Sequence, residues 1–283
     1  MSDLKKRTIT AAILIVVFIP LVFFGGLVFD IVVGLFALGA SFELERMFKK
    51  ENKFNFLSIF SMALSTLTYI FIILMNYLKE YKYIFMWVIL VFLLIGIIGV
   101  LHKDSNVDTI SRHFLTIYYP SLGFSSLAIL RNMETSIYRN GLFILLYPII
   151  ICIMTDMFAY FFGCKFGKHK LCPSISPKKS IEGSIAGTAF SLLFGVFFIM
   201  ISGGYKVLFP SLQPMWALFA SIPLTLFISF IDEIGDLFAS RLKRFYGIKD
   251  YSQIFPGHGG ILDRFDSYIF ACSALLVYIL LVL

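Results

Sequence analysis

The sequence predicts an all-α polytopic membrane protein of about nine transmembrane helices, N-terminus cytoplasmic and C-terminus outside, and three observations carry that prediction. Of its 283 residues 59% are hydrophobic, with a mean hydropathy of +0.89. Only 14% are charged, where an ordinary soluble domain carries about 25%. The apolar residues fall in blocks of about 20, the length a helix needs to cross a hydrocarbon core of about 30 Å. A water-soluble globule is excluded. A transmembrane barrel would alternate apolar and polar residues, which these blocks do not, and the 33 Phe suit helices that meet lipid.

The spans follow from apolar runs bounded by charge, proline or glycine. The first, 8–24, follows Lys5, Lys6 and Arg7 and has the look of a signal peptide, but Pro20 and the Leu-Val-Phe-Phe after it offer no small-residue cleavage site, so a retained helix is expected. Gly25 and Gly26 leave almost no loop before the second, 27–43, which predicts a tight helical hairpin. That second span holds Asp30, with no visible partner. The remaining spans are 56–77, 83–101, 114–130, 140–162, 184–203, 215–239 and 261–281. Threaded back and forth, this arrangement puts 19 of the 24 lysines and arginines on the N-terminal side, a strong positive-inside signal. Two polar loops, 163–183 and 240–260, then face the cytoplasm. Residues 1–135 form an N-terminal group of about five spans, and 136–283 a C-terminal region bearing both loops. In a bacterium this places the chain in the cytoplasmic membrane.

Carboxylates inside spans are costly and mark functional candidates. Asp156 sits near the inner end of the sixth span; Asp232, Glu233 and Asp236 crowd that of the eighth; Asp263, Arg264 and Asp266 open the ninth. On a helix Asp232, Asp236 and Ser240 form one stripe at i, i+4 and i+8. Packed like charges need compensation, by a divalent cation held on hard oxygen ligands and substrate phosphates or by nearby Lys and Arg; a salt-bridge network that only pins helices together is the plainer alternative. Four cysteines, Cys152, Cys164, Cys172 and Cys272, lack the close pairs of a zinc site or disulfide framework and read as structural. His102, His113 and His169 fall in expected inner loops and read as solvated.

The loops supply cations and glycines beside these acids. In 240–266, Lys243, Arg244, Lys249 and Arg264 suit phosphate, and Pro256-Gly257-His258-Gly259-Gly260 is a turn able to expose N–H groups just before a helix, an arrangement that favours anions. The other loop holds Phe166-Gly167-Lys168 and Ile175-Ser176-Pro177-Lys178-Lys179-Ser180-Ile181-Glu182-Gly183. Loops that merely meet anionic headgroups would explain the cations but not the acids or the glycines. Chemistry alone points to phosphoryl or nucleotidyl transfer within the membrane.

The segment resembles the signature of the phosphatidate cytidylyltransferases (CDP-diacylglycerol synthases), S-x-[apolar]-K-R-x4-K-D-x-[small]-x2-[apolar]-P-x-H-G-G-[apolar]-x-D-R-x-D. Ser240, Leu242, Lys243, Arg244, Lys249, Asp250, Ser252, Phe255, Pro256, His258, Gly259, Gly260, Ile261, Asp263, Arg264 and Asp266 fill its slots. Asp156-x-x-Ala-Tyr160 and the Lys178-Lys179 loop also look like the family's, with Ser180 where Thr is commoner. The resemblance is firm over the C-terminal half and extends to the N-terminal half only as a pattern of spans. It implies conversion of CTP and phosphatidate to CDP-diacylglycerol and pyrophosphate, with Mg²⁺ as cofactor and room for a second, monovalent cation. Asp236 and Asp263 are the expected metal ligands and, with Lys243 and Arg264, the expected catalytic residues; Asp232, Glu233 and Asp266 are further ligand candidates. Lys178, Lys179, Ser240, Arg244, His258, Gly259 and Gly260 are expected to bind substrate. For His258, contact with phosphate or nucleotide, acid/base work and a turn-stabilising hydrogen bond all stay open. Membrane lipids are expected partners, nucleic acid is not, and a homodimer is compatible.

Three other readings compete. Asp232-x-x-x-Asp236 echoes the end of the CDP-alcohol phosphatidyltransferase motif, whose D-G-x2-A-R start is missing. A CTP-dependent lipid-alcohol kinase is set aside only by the signature. A transporter would carry repeats and midplane charges, whereas these charges lie at one edge.

Overall fold

The computed structural model describes residues 12, 16–48, 54–102, 106–134 and 141–282. Helix α1 runs through 16–24, and Gly25 and Gly26, with φ of 61° and 64°, break it from α2 (Gly26–Phe48). Only backbones tolerant of positive φ make that turn cheaply. Phe18 stacks on Phe36 with ring centroids 6.0 Å apart, so α1 folds back on α2 as the glycine pair suggests. The rest of the first expected span, with Lys5, Lys6 and Arg7, lies outside the described residues, as do Lys49, Lys50, Lys53, Lys103 and Arg139.

Then come α3 (Phe56–Tyr77), α4 (Tyr81–Leu101), α5 (Val107–Asn132), α6 (Leu142–Phe166), a hairpin of β1 (Lys170–Cys172) and β2 (Ser176–Ser180), α7 (Ile181–Ile201), the short α8 (Tyr205–Leu208), α9 (Pro214–Phe245) and α10 (Leu262–Val282). Among the described residues seven helices are long and apolar enough to cross a membrane: α2, α3, α4, α6, α7, α9 and α10. Helix α5 covers the expected fifth span but is more polar. Its Thr116, Ser121, Ser125 and Ser126 are buried and spend their hydroxyls on protein acceptors. A helix whose surface meets protein needs less apolar character than one that meets lipid.

The chain forms two compact units, Met1–Ile129 with Asp250–Arg264, and Leu130–Lys249 with Phe265–Leu283. In the first, Asp30 is buried and has partners after all: Tyr77 donates its hydroxyl to Oδ2 at 2.6 Å, and Tyr69 donates to the Asp30 carbonyl at 2.7 Å. His113 is helical rather than in a loop. Its Nδ1 lies 2.7 Å from Ser61 Oγ and 3.4 Å from the buried Glu45 carboxylate. His169 is exposed as expected, yet its Nδ1 lies 2.6 Å from Glu182 Oε1.

In the second unit, α7 buries Gly183, Gly187, Ser191, Gly195 and Ile199, one residue in four along a single stripe. Small residues at this spacing let backbones approach closely, the main source of helix adhesion in lipid. A β-carbon on Gly187 would stand 2.5 Å from the Thr155 carbonyl oxygen, and one on Gly183 2.6 Å from that of Ala159. Above them Tyr147 and Thr225 share a hydrogen bond of 2.7 Å, and Thr155 and Ser229 one of 3.0 Å.

Gly187→Val should therefore force α6 and α7 apart and lower the detergent melting temperature of the chain by many degrees. Gly96→Ala, at a helical position where no described atom lies within 4 Å, should leave it unchanged or raise it slightly, since alanine favours a helix over glycine by about 1 kcal/mol.

Candidate active site

The loop expected over 163–183 is a β-hairpin joined directly to a helix. Lys170 pairs with Ser180 and Cys172 with Ser176. Ser180 ends the strand and caps α7, its Oγ accepting from the Gly183 amide at 3.2 Å. Glu182, in the first turn of α7, accepts from the Lys168 amide at 3.1 Å and from the His169 amide at 3.2 Å. The hairpin that carries Lys178 and Lys179 is thus pinned at both ends to the first turn of α7.

Beside it lies a cavity of about 530 Å³, within the size range of small-molecule sites. Helix α6 lines it with Thr155, Asp156, Ala159, Tyr160, Gly163 and Cys164; the hairpin adds Lys170, Lys178, Lys179 and Ser180; α7 and α9 add Ser184 and Glu233. Glu233 accepts from the Ser184 hydroxyl at 2.6 Å. Lys179 Nζ stands 2.6 Å from Asp236 Oδ2. Burial opposes the charge on Lys179, but the carboxylate of Asp236 above all, with Asp156 and Glu233 behind it, holds this ammonium above its ordinary pKa. Lys170 and Asp156 enter this lining although the site residues expected from sequence did not include them; Asp156 was visible as an acid within a span.

Helix α9 explains the next group. At 32 residues it is about 48 Å long, well beyond the hydrocarbon thickness. The expected span ended at 239, but the helix continues through Ser240, Lys243 and Arg244 to Phe245, because charged residues end an apolar run without breaking a helix. It stops where Gly247 adopts φ 72°. The Gly247 amide donates to the Arg244 carbonyl and that of Ile248 to Lys243, a Schellman closure. Asp232, Asp236 and Ser240 do share one stripe. Asp232 is 1% exposed; Cys152, Asp156 and Ser267 lie close to its carboxylate, and among the described residues no strong hydrogen bond reaches either oxygen. Lys243 is buried and Arg244 exposed. Asp266, also buried, lies in the part of α10 that belongs to this unit, which begins at Phe265.

The rest of the signature belongs to the first unit. Asp263 Oδ2 accepts from the amides of Tyr251 at 2.8 Å and Gly260 at 2.9 Å. The amides of Ile261 and Leu262 donate to Glu43 of α2, at 2.8 and 2.9 Å, and Ser252 Oγ donates to the same carboxylate at 2.5 Å. The turn expected to offer N–H groups to an anion thus already gives those of Gly260, Ile261 and Leu262 to carboxylates of the chain itself. Gly259 is buried with φ 85°, Arg264 is exposed, and His258 Nδ1 is buried with no hydrogen-bond partner among the described residues. Sequence reasoning missed Glu43; an acid at the end of a span, four residues after Gly39, was the available signal.

Among the described residues no three His, Cys, Asp or Glu side chains group tightly enough to hold a metal ion alone. Hard carboxylate oxygens are nevertheless present, and the buried oxygens of Asp232 fit a cation or a proton. A sequence model of the Cytidylyltransferase family matches residues 5–282. The chain belongs to that family. It is 35% identical to a phosphatidate cytidylyltransferase of Staphylococcus aureus strain COL over 96% of this chain and 97% of the relative. It is 33% identical to the Bacillus subtilis strain 168 protein of the same name over 100% and 99% of the two chains. Family membership therefore extends through the N-terminal half, where sequence reading offered only a pattern of spans.

Glu182→Gln, with one acceptor oxygen in place of two, should speed amide hydrogen exchange at Lys168 and His169 by about tenfold or more. Exchange in the middle of α7 should stay unchanged.

Proposed function

We propose that this chain is an integral-membrane nucleotidyltransferase of phospholipid biosynthesis that converts CTP and phosphatidate to CDP-diacylglycerol and pyrophosphate. What carries the reading is a lysine-lined, carboxylate-bearing cavity in a chain whose relatives, matched end to end, bear the name phosphatidate cytidylyltransferase.

The chemistry asks for one phosphatidate oxygen in line with the α-phosphate of CTP, with pyrophosphate leaving on the opposite side. Phosphatidate is ionised at neutral pH, so no general base is required. Lys178 and Lys179 hold one phosphate group, and Lys243, Arg244 and Arg264 another, neutralising charge that grows on the leaving group. Lys170 adds a further cation to the first set. Ser240, one turn from Asp236, donates to phosphate, and His258 presents its ring to the nucleotide or a phosphate. Asp236 and Asp263 would hold Mg²⁺, with Asp232, Glu233 and Asp266 as further ligands; carboxylates plus substrate oxygens are the usual Mg²⁺ environment. Bound there, the ion supplies charge neutralisation at the phosphates. The resemblance adds a monovalent cation.

Nine spans, an N-terminus inside and a C-terminus outside belong to the same reading, which sets the cavity toward the cytoplasm of a bacterial inner membrane, where CTP is found. Anionic lipid around the basic loops and a second copy of the chain are its further partners.

Purified chain given CTP labelled at the α-phosphate should pass the label to phosphatidate and release pyrophosphate, in a Mg²⁺-dependent manner. Release of CDP, or turnover of CDP-diacylglycerol with a free alcohol instead, would falsify the assignment. Asp236→Asn and Asp263→Asn should each cut kcat by about a hundredfold or more while the protein still inserts; near-normal rates in both would remove the metal assignment.

A further inference from the structure

Glu43 sits inside α2 with 0% exposure, yet it accepts three hydrogen bonds, all from the signature segment: Ser252 Oγ, Ile261 N and Leu262 N. A carboxylate in such a place is expensive, and an apolar side chain of similar volume would commonly hold two segments together as well or better. What a carboxylate adds is direction. The first amides of a helix have no partner within it and are usually capped from the preceding few residues. Here the cap for α10 comes from a residue 218 positions away in sequence.

The surroundings leave this arrangement little freedom. Gly260 packs on the carboxylate so closely that a β-carbon there would stand 2.7 Å from Glu43 Cδ, and one turn earlier Gly39 leaves its space to the side chain of Ile261. Ser252 Oγ accepts from the Ile254 amide at 3.2 Å while donating to Glu43. Asp263, from the first turn of α10, draws in the amides of Tyr251 and Gly260. Glu43 and Asp263 between them hold the backbone of the segment at both ends.

We propose that Glu43 is a positioning residue for cytidylyl transfer. It sets where α10 begins, and so aims Asp263 and Arg264. By taking the leading amides of α10 itself, it also leaves phosphate recognition to side chains of the segment instead of its backbone. The inference rests on the cytidylyltransferase reading.

The test uses the full chain with Glu43→Gln, equal in size but without charge and with one acceptor oxygen in place of two. Beside the unaltered protein it should lose at least about tenfold in kcat, with KM for CTP changed by no more than about threefold. Its melting temperature in detergent should stay near the parent's, and amide exchange over 251–262 should accelerate. Adding Ser252→Ala should cost little more, because the two side chains act as one clamp. A Glu43→Gln protein with kcat within about twofold of the parent overturns the proposal, as does a loss that vanishes when rates are normalised to folded protein. If the unaltered chain fails to transfer label, the cytidylyltransferase reading falls instead, and unchanged exchange over 251–262 then removes the clamp as well.

Discussion

The close approach of α6 and α7 along Gly183, Gly187 and Gly195 is the contact from which the lysine-lined cavity is built. In lipid, apolar surface gains nothing by leaving one hydrocarbon for another, so helices adhere through dispersion and hydrogen bonds that act only at short range. Bare glycine backbones provide that range. With α7 seated on α6, Asp156, Tyr160 and Gly163 of one helix and Ser184 of the other line the same cavity, and the hairpin between them sets its lysines at the edge. A larger residue at Gly183 or Gly187 would disturb the helix pair and the cavity together.

Carboxylates do two kinds of work in this molecule. Glu43, Glu182 and Asp263 spend theirs on backbone amides that helix starts and turns leave unpaired. Asp236, Glu233 and Asp156 stand around Lys179 and balance its charge. Anions of the first kind shape segments and those of the second shape potential. Asp232 is the most deeply buried of the α9 acids, with Cys152 and Ser267 beside its carboxylate and no strong hydrogen bond to either oxygen among the described residues.

The spans were legible because a bilayer demands about 20 apolar residues from every crossing helix, and the break at Gly25 and Gly26 because two adjacent glycines have a conformational meaning of their own. The stripe of Asp232, Asp236 and Ser240 needed only helical periodicity. Other features left no local trace. The strands at Lys170–Cys172 and Ser176–Ser180 are too short to alternate and contain Pro177, so they read as loop. The last turns of α9 looked like loop because charge marks the end of a hydrophobic run without marking the end of a helix. Glu43 and the pairing of Asp30 with Tyr77 depend on tertiary contacts, the first across more than two hundred residues, and no window along the chain displays them.

Strand β2 passes into α7 with no linker, since Ser180 is at once the final strand residue and the cap of the helix. Glu182 fastens the other end of the hairpin to the same first turn. Lys178 and Lys179 are therefore carried on a rigid arm of a helix long and apolar enough to cross the membrane. Such helices answer bilayer thickness by changing tilt, and an arm of this kind converts a change of tilt into a displacement of its ammonium groups. A change in bilayer thickness would thus be felt at the edge of the cavity as a movement of Lys178 and Lys179.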